Sequence, residues 1–256
     1  MAGHTPSDNV FSLGGLKASC ATCNLHDLCL PRGMSDADVA ELEHIVSRSR
    51  SHPRGKTLFR VDEPFRAIYV PRSGAIKTFT LGIDGSEQII GFHLPGEIIG
   101  LDGLIEHQHQ VTAQALELSS VCEVAFDLLE HAAARVPALQ HQLMRLMSQE
   151  IAGKEQQLLA LGDHLPERRL GLLLLDLSQR FAHRGFSATE FNLPMSRQDI
   201  AAYLRLAAET VSRAFGKLQR DGLVEVTGRL VRIVDLDALT TFAGQGAGST
   251  RQRNIS

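Results

Sequence analysis

Apolar residues recur with helical spacing over residues 196–220, in two blocks. Ile200, Ala201 and Leu204 form the stripe of a first short helix. Val211, Phe215 and Leu218, at i, i+4 and i+7, form the stripe of a second. Ser196, with Asp199 three residues on, stands in capping-box order, and Arg205-Leu206-Ala207 breaks the two blocks apart. The outward face of the second block carries Glu209, Ser212 and Arg213 at i, i+3 and i+4, with Gly216 next on that face. Gly222 reads as a helix stop. Residues 223–226 and 230–233 read as short strands around Thr227-Gly228. Helix, turn, helix, hairpin predicts a winged helix-turn-helix whose second helix lies in a DNA major groove.

Elsewhere the periodicity changes twice. Residues 35–48 (SDADVAELEHIVSR) predict a short amphipathic helix capped by Ser35. From about residue 52 to 126, short runs rich in Val, Ile, Phe and Thr are split by Arg72-Ser73-Gly74, Asp84-Gly85 and Pro95-Gly96. The strand-like runs are 67–70, 76–81, 87–92 and 111–118, which predict an antiparallel barrel or jelly roll whose pocket could hold a small ligand. Residues 137–161 then return to a helical period. Met144, Ile151 and Leu158 recur every seven residues, as do Met147, Lys154 and Leu161 offset by three. Those are coiled-coil a and d positions on a helix on the order of 35–40 Å long. Met144, Met147, Ile151, Lys154 and Leu158 are therefore the expected homodimer seam, with Lys154 a charged and weakening d position. After residues 162–166, a linker, comes an apolar-rich helix over 167–181 with Leu170, Leu173, Leu174 and Leu177 inward, and then a strand over 186–193.

The fold class that follows is α+β. An arm and cysteine loop (1–33) precede an antiparallel β-roll sensor domain (34–127), a dimerisation helix (128–163), a winged helix-turn-helix (164–244) and a disordered tail (245–256). Residues 1–16 read as a mobile arm.

Charge sharpens the assignment of the C-terminal domain. From Asn192 to Val234 there are seven Lys/Arg and four Asp/Glu, so this window is +3 while the whole chain is −3. Positive charge gathers where phosphates would be met. Arginine bonds guanine O6 and N7 through two donors and glutamate accepts from cytosine N4. A carboxylate facing phosphate alone would be repelled, so Glu209 beside Arg213 points to base reading. At 256 residues, 43% hydrophobic and 21% charged, the chain has room for two ordinary cores. No apolar run approaches the ~20 residues of a membrane span, and the N-terminus lacks the charged and apolar regions of a signal peptide. The expectation is a cytoplasmic protein without resting disulfides. No Walker loop, GxSxG elbow or HExxH occurs, so nothing supports an enzyme.

Cys20, Cys23 and Cys29 follow C-x2-C-x5-C, and Cys122 lies far along the chain. Four thiolates hold zinc or an iron–sulfur cluster. Structural zinc usually takes paired C-x2-C knuckles, so a cluster with one remote ligand suits this spacing better. On local grounds Cys122, alternating with Val124 and Phe126 around Glu123, also reads as a small buried hydrophobe. His26 inside the loop could serve as a ligand but reads rather as a bystander on the loop surface.

The order of parts resembles the CRP/FNR superfamily, in particular its oxygen-sensing fumarate and nitrate reduction regulators. The resemblance spans nearly everything from Cys20 to Gly244. It rests on the cysteine pattern, FHLPGEIIG, LMRLMSQEI, the stretch Gln179-Arg180-Phe181-Ala-His-Arg-Gly185-Phe-Ser187 and Glu209-Thr-Val-Ser212-Arg213. It implies a [4Fe-4S] cluster on Cys20, Cys23, Cys29 and Cys122 when oxygen is absent, converted and then lost when oxygen arrives. It further implies a homodimer whose Glu209, Ser212 and Arg213 read TTGAT-type half-sites in double-stranded DNA. The surface loop at residues 81–87 would touch RNA polymerase, and the target genes would serve anaerobic respiration. The related cyclic-AMP receptors carry Gly-Glu and then Arg-Ser for the cyclic phosphate. Here Gly96-Glu97 is followed by Leu104-Ile-Glu-His-Gln-His-Gln-Val-Thr-Ala113 without an arginine, so no cyclic nucleotide is expected. Haem on His107 or His109 would leave the cysteines unexplained. The alternative is a zinc- or small-ligand-responsive regulator of the same fold. Lys154 stands where the resembling proteins commonly place an acidic residue.

Overall fold

The computed structural model describes residues 19–48 and 51–244. The expected arm and tail lie outside the described residues. Helix α1 (Asp36–Ile45) starts under a reciprocal box: Ser35 accepts from the Asp38 amide and the Asp38 carboxylate accepts from Ser35. The helix expected over 35–48 ends early. Val46–Arg48 become strand β1, with Val46 opposite Val124 and Arg48 opposite Cys122. β-Branched Val46 favours the ladder, and the open edge of the partner strand decides the matter.

The sensor domain is two antiparallel sheets built from β1, β2 (Thr57–Phe59), β3 (Ala67–Ser73), β4 (Ile76–Leu81), β5 (Glu87–His93), β6 (Thr112–Ala115) and β7 (Ser120–Ala125). Their orders are β1-β7-β3 and β2-β6-β4-β5. Phe59, Ile76, Ile99, Ala113, Ala115 and Val121 fill the space between them. The strand expected over 111–118 stops at Ala115, and Leu118 is exposed. The reason is the neighbouring turn at Gly74, with φ +76°. A Cβ there would lie 2.3 Å from Ser119 Oγ and 2.7 Å from the Leu118 carbonyl, so the two chain bends fit only with glycine.

The helix expected over 137–161 forms with those bounds, while the 128–163 segment assigned to the dimerisation helix also takes in a second helix before it. α2 (Phe126–Arg135) follows β7 directly, Val136 is extended, and Pro137 opens α3 (Pro137–Leu161). Proline cannot donate in a continuing helix but suits a first turn. Leu139, Gln142 and Leu146 are the buried residues of α3, while Met144, Met147, Ile151 and Leu158 are exposed.

The C-terminal head is α4 (Pro166–Ala182), β8 (Glu190–Asn192), α5 (Arg197–Leu204), α6 (Ala208–Arg220), β9 (Val224–Thr227), β10 (Leu230–Ile233) and α7 (Leu236–Phe242). Its sheet order β8-β10-β9 makes the wing. The strand expected over 186–193 shortens to β8, with Phe186 exposed and edge-on to Phe181. Leu170, Leu174 and Leu177 of α4 meet Ile200, Leu204, Val211, Phe215 and Leu218 in one core. That core does not end at the domain boundary. It runs on through Leu94, Phe92, Ile89 and Phe79 of the sensor. Among the described residues, no helix is long and apolar enough to cross a membrane.

Candidate functional site

The thiol loop is a run of tight turns. Cys23 N bonds to Cys20 O (3.3 Å), His26 N to Cys23 O (2.9 Å) and Cys29 N to Leu25 O (2.9 Å). Glu43 of α1 fastens its start, accepting from Ser19 Oγ, from the Cys20 amide and, at 3.3 Å, from the Ala21 amide. Cys122 comes from the middle of β7, paired between Arg48 and Val70. On that strand Val121 faces the space between the sheets, while Cys122 and Val124 face α1 and α2. All four cysteines therefore line one pocket, with Leu25, Leu30, Leu42, Val46, Val70 and Val124 around them. Burial pushes the Cys29 thiol up to about 12, and the sulfurs of Cys122, Cys20 and Cys23 add to that against a bond from the Leu30 backbone. A thiol so placed stays protonated unless a cationic centre takes it as thiolate.

Among the described residues, no three His, Cys, Asp or Glu side chains come together at the spacing of a single metal ion. The donor set nonetheless fits an iron–sulfur centre: four soft sulfurs, three from one loop and one from a rigid strand, in an aliphatic wall. His26 lines the same pocket and lies 3.3 Å from Asp27.

At the head, the Ser196–Asp199 capping box forms as its sequence requires, and Arg205 closes α5 in the left-handed region with φ 54°. Val211, Ala214, Phe215 and Leu218 of α6 are buried, which turns Glu209, Ser212 and Arg213 to the surface together. Ser212 Oγ donates to the Ala208 carbonyl at 3.0 Å, and Arg213 lies 3.4 Å from Thr210 Oγ1. The Arg197 guanidinium stacks on the Phe215 ring at 3.5 Å, tying the two helices.

Sequence reading missed the joint between sensor and head. Glu97 Oε2 accepts from Arg180 Nη2 at 2.7 Å, and Glu97 Oε1 accepts from Arg180 Nε at 3.0 Å and Arg184 Nη2 at 2.6 Å. Asp176 holds the other side of Arg180 at 2.9 Å. Arg184 Nε donates to the Pro95 carbonyl at 2.7 Å. Burial opposes the charge on Glu97, but the two guanidinium groups prevail and hold its carboxyl down at about 2. A second tie joins Lys77 of β4 to Asp199 of the α5 cap at 3.1 Å, and Phe92 packs on Tyr203 at 4.9 Å. Arg180 near the end of a helix already expected, and Arg184 four residues on and just past that helix, were the available signal.

His93 sits behind this joint, buried, its Nε2 3.1 Å from Thr78 Oγ1. Burial pushes its imidazole from 6.5 down to about 4; Glu150 and Glu97 oppose the shift, and Lys154 and Arg180 add to it. The unfolded chain takes up a proton that the folded one refuses between those values. Stability should therefore fall as pH drops from 6.5 to about 4, by about 3 kcal/mol in all. Urea midpoints taken through that range should show the slope, and His93→Gln should flatten it.

Of the expected seam, Met144, Met147, Ile151 and Leu158 present apolar side chains outward. Lys154 does not follow them. Its Nζ donates to the Ile90 carbonyl at 2.9 Å and pairs with Glu150 at 3.4 Å. The cation folds back on its own sensor sheet because a backbone acceptor and a carboxylate lie within its reach. His109 is buried, stacked on Phe59 at 3.7 Å, and His107 is exposed.

Residues 168–242 match the Crp-like helix-turn-helix domain family, and residues 49–135 match the cyclic nucleotide-binding domain family. The transcriptional activator protein FnrA of Stutzerimonas stutzeri is 46% identical over 228 residues, 89% of this chain and 93% of that protein. The fumarate and nitrate reduction regulatory protein of Escherichia coli K12 is 41% identical over 231 residues, 90% of this chain and 92% of that one. Among solved structures, FixK2 from Bradyrhizobium japonicum has a TM-score of 0.70 at 31% identity, covering 77% of this chain and 96% of its own.

Proposed function

Since the chain belongs to the CRP/FNR family of transcription regulators, in its FNR/Anr branch, we propose that it is switched by oxygen through a [4Fe-4S] cluster. Cys20, Cys23, Cys29 and Cys122 would hold the cluster. The observation that supports the reading is that those four cysteines line one largely aliphatic pocket, with Gln142 of α3 bonded to the Cys29 carbonyl. When bound, the cluster supplies an oxygen-labile tie between the thiol loop and β7. The chain's own residues do the rest. Glu43 fixes the beginning of the loop, Leu30 seats its end in the core shared with α1, α2 and α3, and α3 presents Met144, Met147, Ile151 and Leu158 to a second copy. Pairing along α3 sets two α6 helices about one DNA turn, ~34–36 Å, apart. Glu209, Ser212 and Arg213 then read TTGAT-type half-sites, and the hairpin at residues 81–87, with Ile83 exposed, meets RNA polymerase.

The test is purification without oxygen, with iron and sulfide assayed, a visible spectrum recorded, and sedimentation followed as air is admitted. Iron with sulfide and a dimer that dissociates in air are expected. Zinc alone, or a dimer indifferent to air, defeats the proposal.

Arg213→Ala should lower discrimination at one base pair by about 1–3 kcal/mol and leave affinity for unrelated DNA nearly unchanged. A gel-shift panel over single-base variants of the half-site checks this. Equal loss on every sequence would make Arg213 a phosphate contact.

A further inference from the structure

Helix α3 buries one polar side chain where its stripe should be apolar. Gln142 stands between Leu139 and Leu146 and is 3% exposed. A leucine or methionine would fit that stripe without an amide to satisfy. Both ends of the Gln142 amide are instead engaged. Its Nε2 donates to the Cys29 carbonyl at 2.8 Å, and its Oε1 accepts from Arg145 Nε at 2.8 Å. Guanidinium nitrogen only donates, so Arg145 fixes which end of the amide faces Cys29. Cys29 thus has two attachments: its sulfur lines the thiol pocket, and its backbone is held by α3. Leu30, the next residue, is 2% exposed in the same core as Leu139 and Leu146. Arg32 at the end of the loop lies close enough to Arg145 to repel its charge. Met144 and Met147, two and five residues beyond Gln142 on α3, are exposed.

We propose that Gln142 is a positioning residue that reports the state of the thiol loop to α3. The inference rests on the iron–sulfur reading above. With Cys29 in place, the buried amide has its acceptor and α3 keeps the seat in which it pairs. With the loop released, that seat leaves a buried amide donor without an acceptor, which penalises the seat. The monomer escapes the penalty by letting α3 shift and water reach Gln142. The side chain therefore opposes pairing when the loop is empty rather than merely supporting the fold.

The test uses the full chain, purified without oxygen, as parent, Gln142→Met and Gln142→Glu. Iron and sulfide per protomer are assayed, and dimer association constants are measured by sedimentation equilibrium before and after air. Gln142→Met removes the unsatisfied donor, so its dimer in air should be stronger than the parent's by roughly tenfold, with the oxygen-free dimer little changed. Gln142→Glu turns a carboxylate on the Cys29 carbonyl, so its oxygen-free dimer should be weaker by a similar factor while iron remains bound. A residue that only supports the fold would weaken both states in both variants, and that result overturns the inference. Parent values throughout overturn it as well. So does loss of iron from both variants, because Gln142 would then hold the loop rather than read it. A parent without iron brings down the iron–sulfur reading and this inference with it. A parent that loses its dimer in air beside variants that do the same to the same extent defeats the inference alone.

Discussion

Cys23→Ala purified without oxygen will be colourless, hold almost no iron and sediment as a monomer. The effect should be all or none because the chain has no fifth cysteine to take the place. Among the described residues, the other side chains around the four sulfurs are aliphatic apart from His26 and Arg72, and His26 lies beside Asp27. Alanine has no lone pair for iron, and three thiolates hold a four-site cluster poorly. The loss also propagates within the loop. With no cationic centre, the buried Cys29 thiol returns to its protonated state, held there by burial and by the remaining sulfurs. The turns that roll Cys20, Cys23 and Cys29 inward are single backbone bonds of 2.9–3.3 Å, too few to fix the loop by themselves. Iron, sulfide and sedimentation measured together check the prediction. A brown, dimeric Cys23→Ala protein would remove Cys23 from the ligand set.

The head was legible because each of its signals is local. A capping box is four residues long, and the outward trio on α6 follows from the inward stripe of the same helix. The C-x2-C-x5-C loop was legible in the same way. Cys122 was harder, since on β7 it alternates with Val124 as a core residue would, and its face shows only when β1 and β3 flank it. β1 itself was hidden: Val46–Arg48 continue the pattern of α1, and only the free edge of β7 turns them into a strand. The start of α3 at Pro137 was legible in its helical period, while the separate helix α2 before it was not. Lys154 shows the opposite limit. Its heptad position points to a partner, yet a backbone carbonyl on β5, 64 residues away, takes its charge. Gln142 gave a signal that went unused, a polar residue between Leu139 and Leu146 on an otherwise apolar stripe.

Glu97→Ala should destabilise the protein by about 3 kcal/mol, the low end of the cost of breaking a buried charge network by removing one member, because the Glu97 and Arg180 side chains are 25% and 21% exposed. Glu97 serves two arginines. Without it, Arg184 keeps the Pro95 carbonyl and the Arg180 carbonyl, and Arg180 keeps Asp176 and the Phe92 carbonyl. Neither then has a carboxylate shared across the joint, and two positive charges are left facing each other. Although the hydrophobic core that runs from Leu170 and Leu174 into Phe92 and Leu94 also crosses this joint, loss of the carboxylate that ties the sensor to both arginines should let sensor and head separate in unfolding rather than melt together. Glu97 does not itself line the thiol pocket; its neighbours Gly96, against Leu28, and Ile98, in one core with Leu30, are left in place by the substitution, so the pocket should keep its contents. The variant is therefore expected to bind iron like the parent while losing affinity for its DNA site, because α5 and α6 are no longer held at a fixed angle to α3. Replacing Glu97, Arg180 and Arg184 together by methionine should recover much of the stability, since the one charge left without its partner, Asp176, has 38% of its side chain exposed to water. Denaturant unfolding followed separately by a sensor probe and a head probe measures both effects. A Glu97→Ala protein with the parent's single transition and midpoint would show that the apolar core alone holds the two domains together.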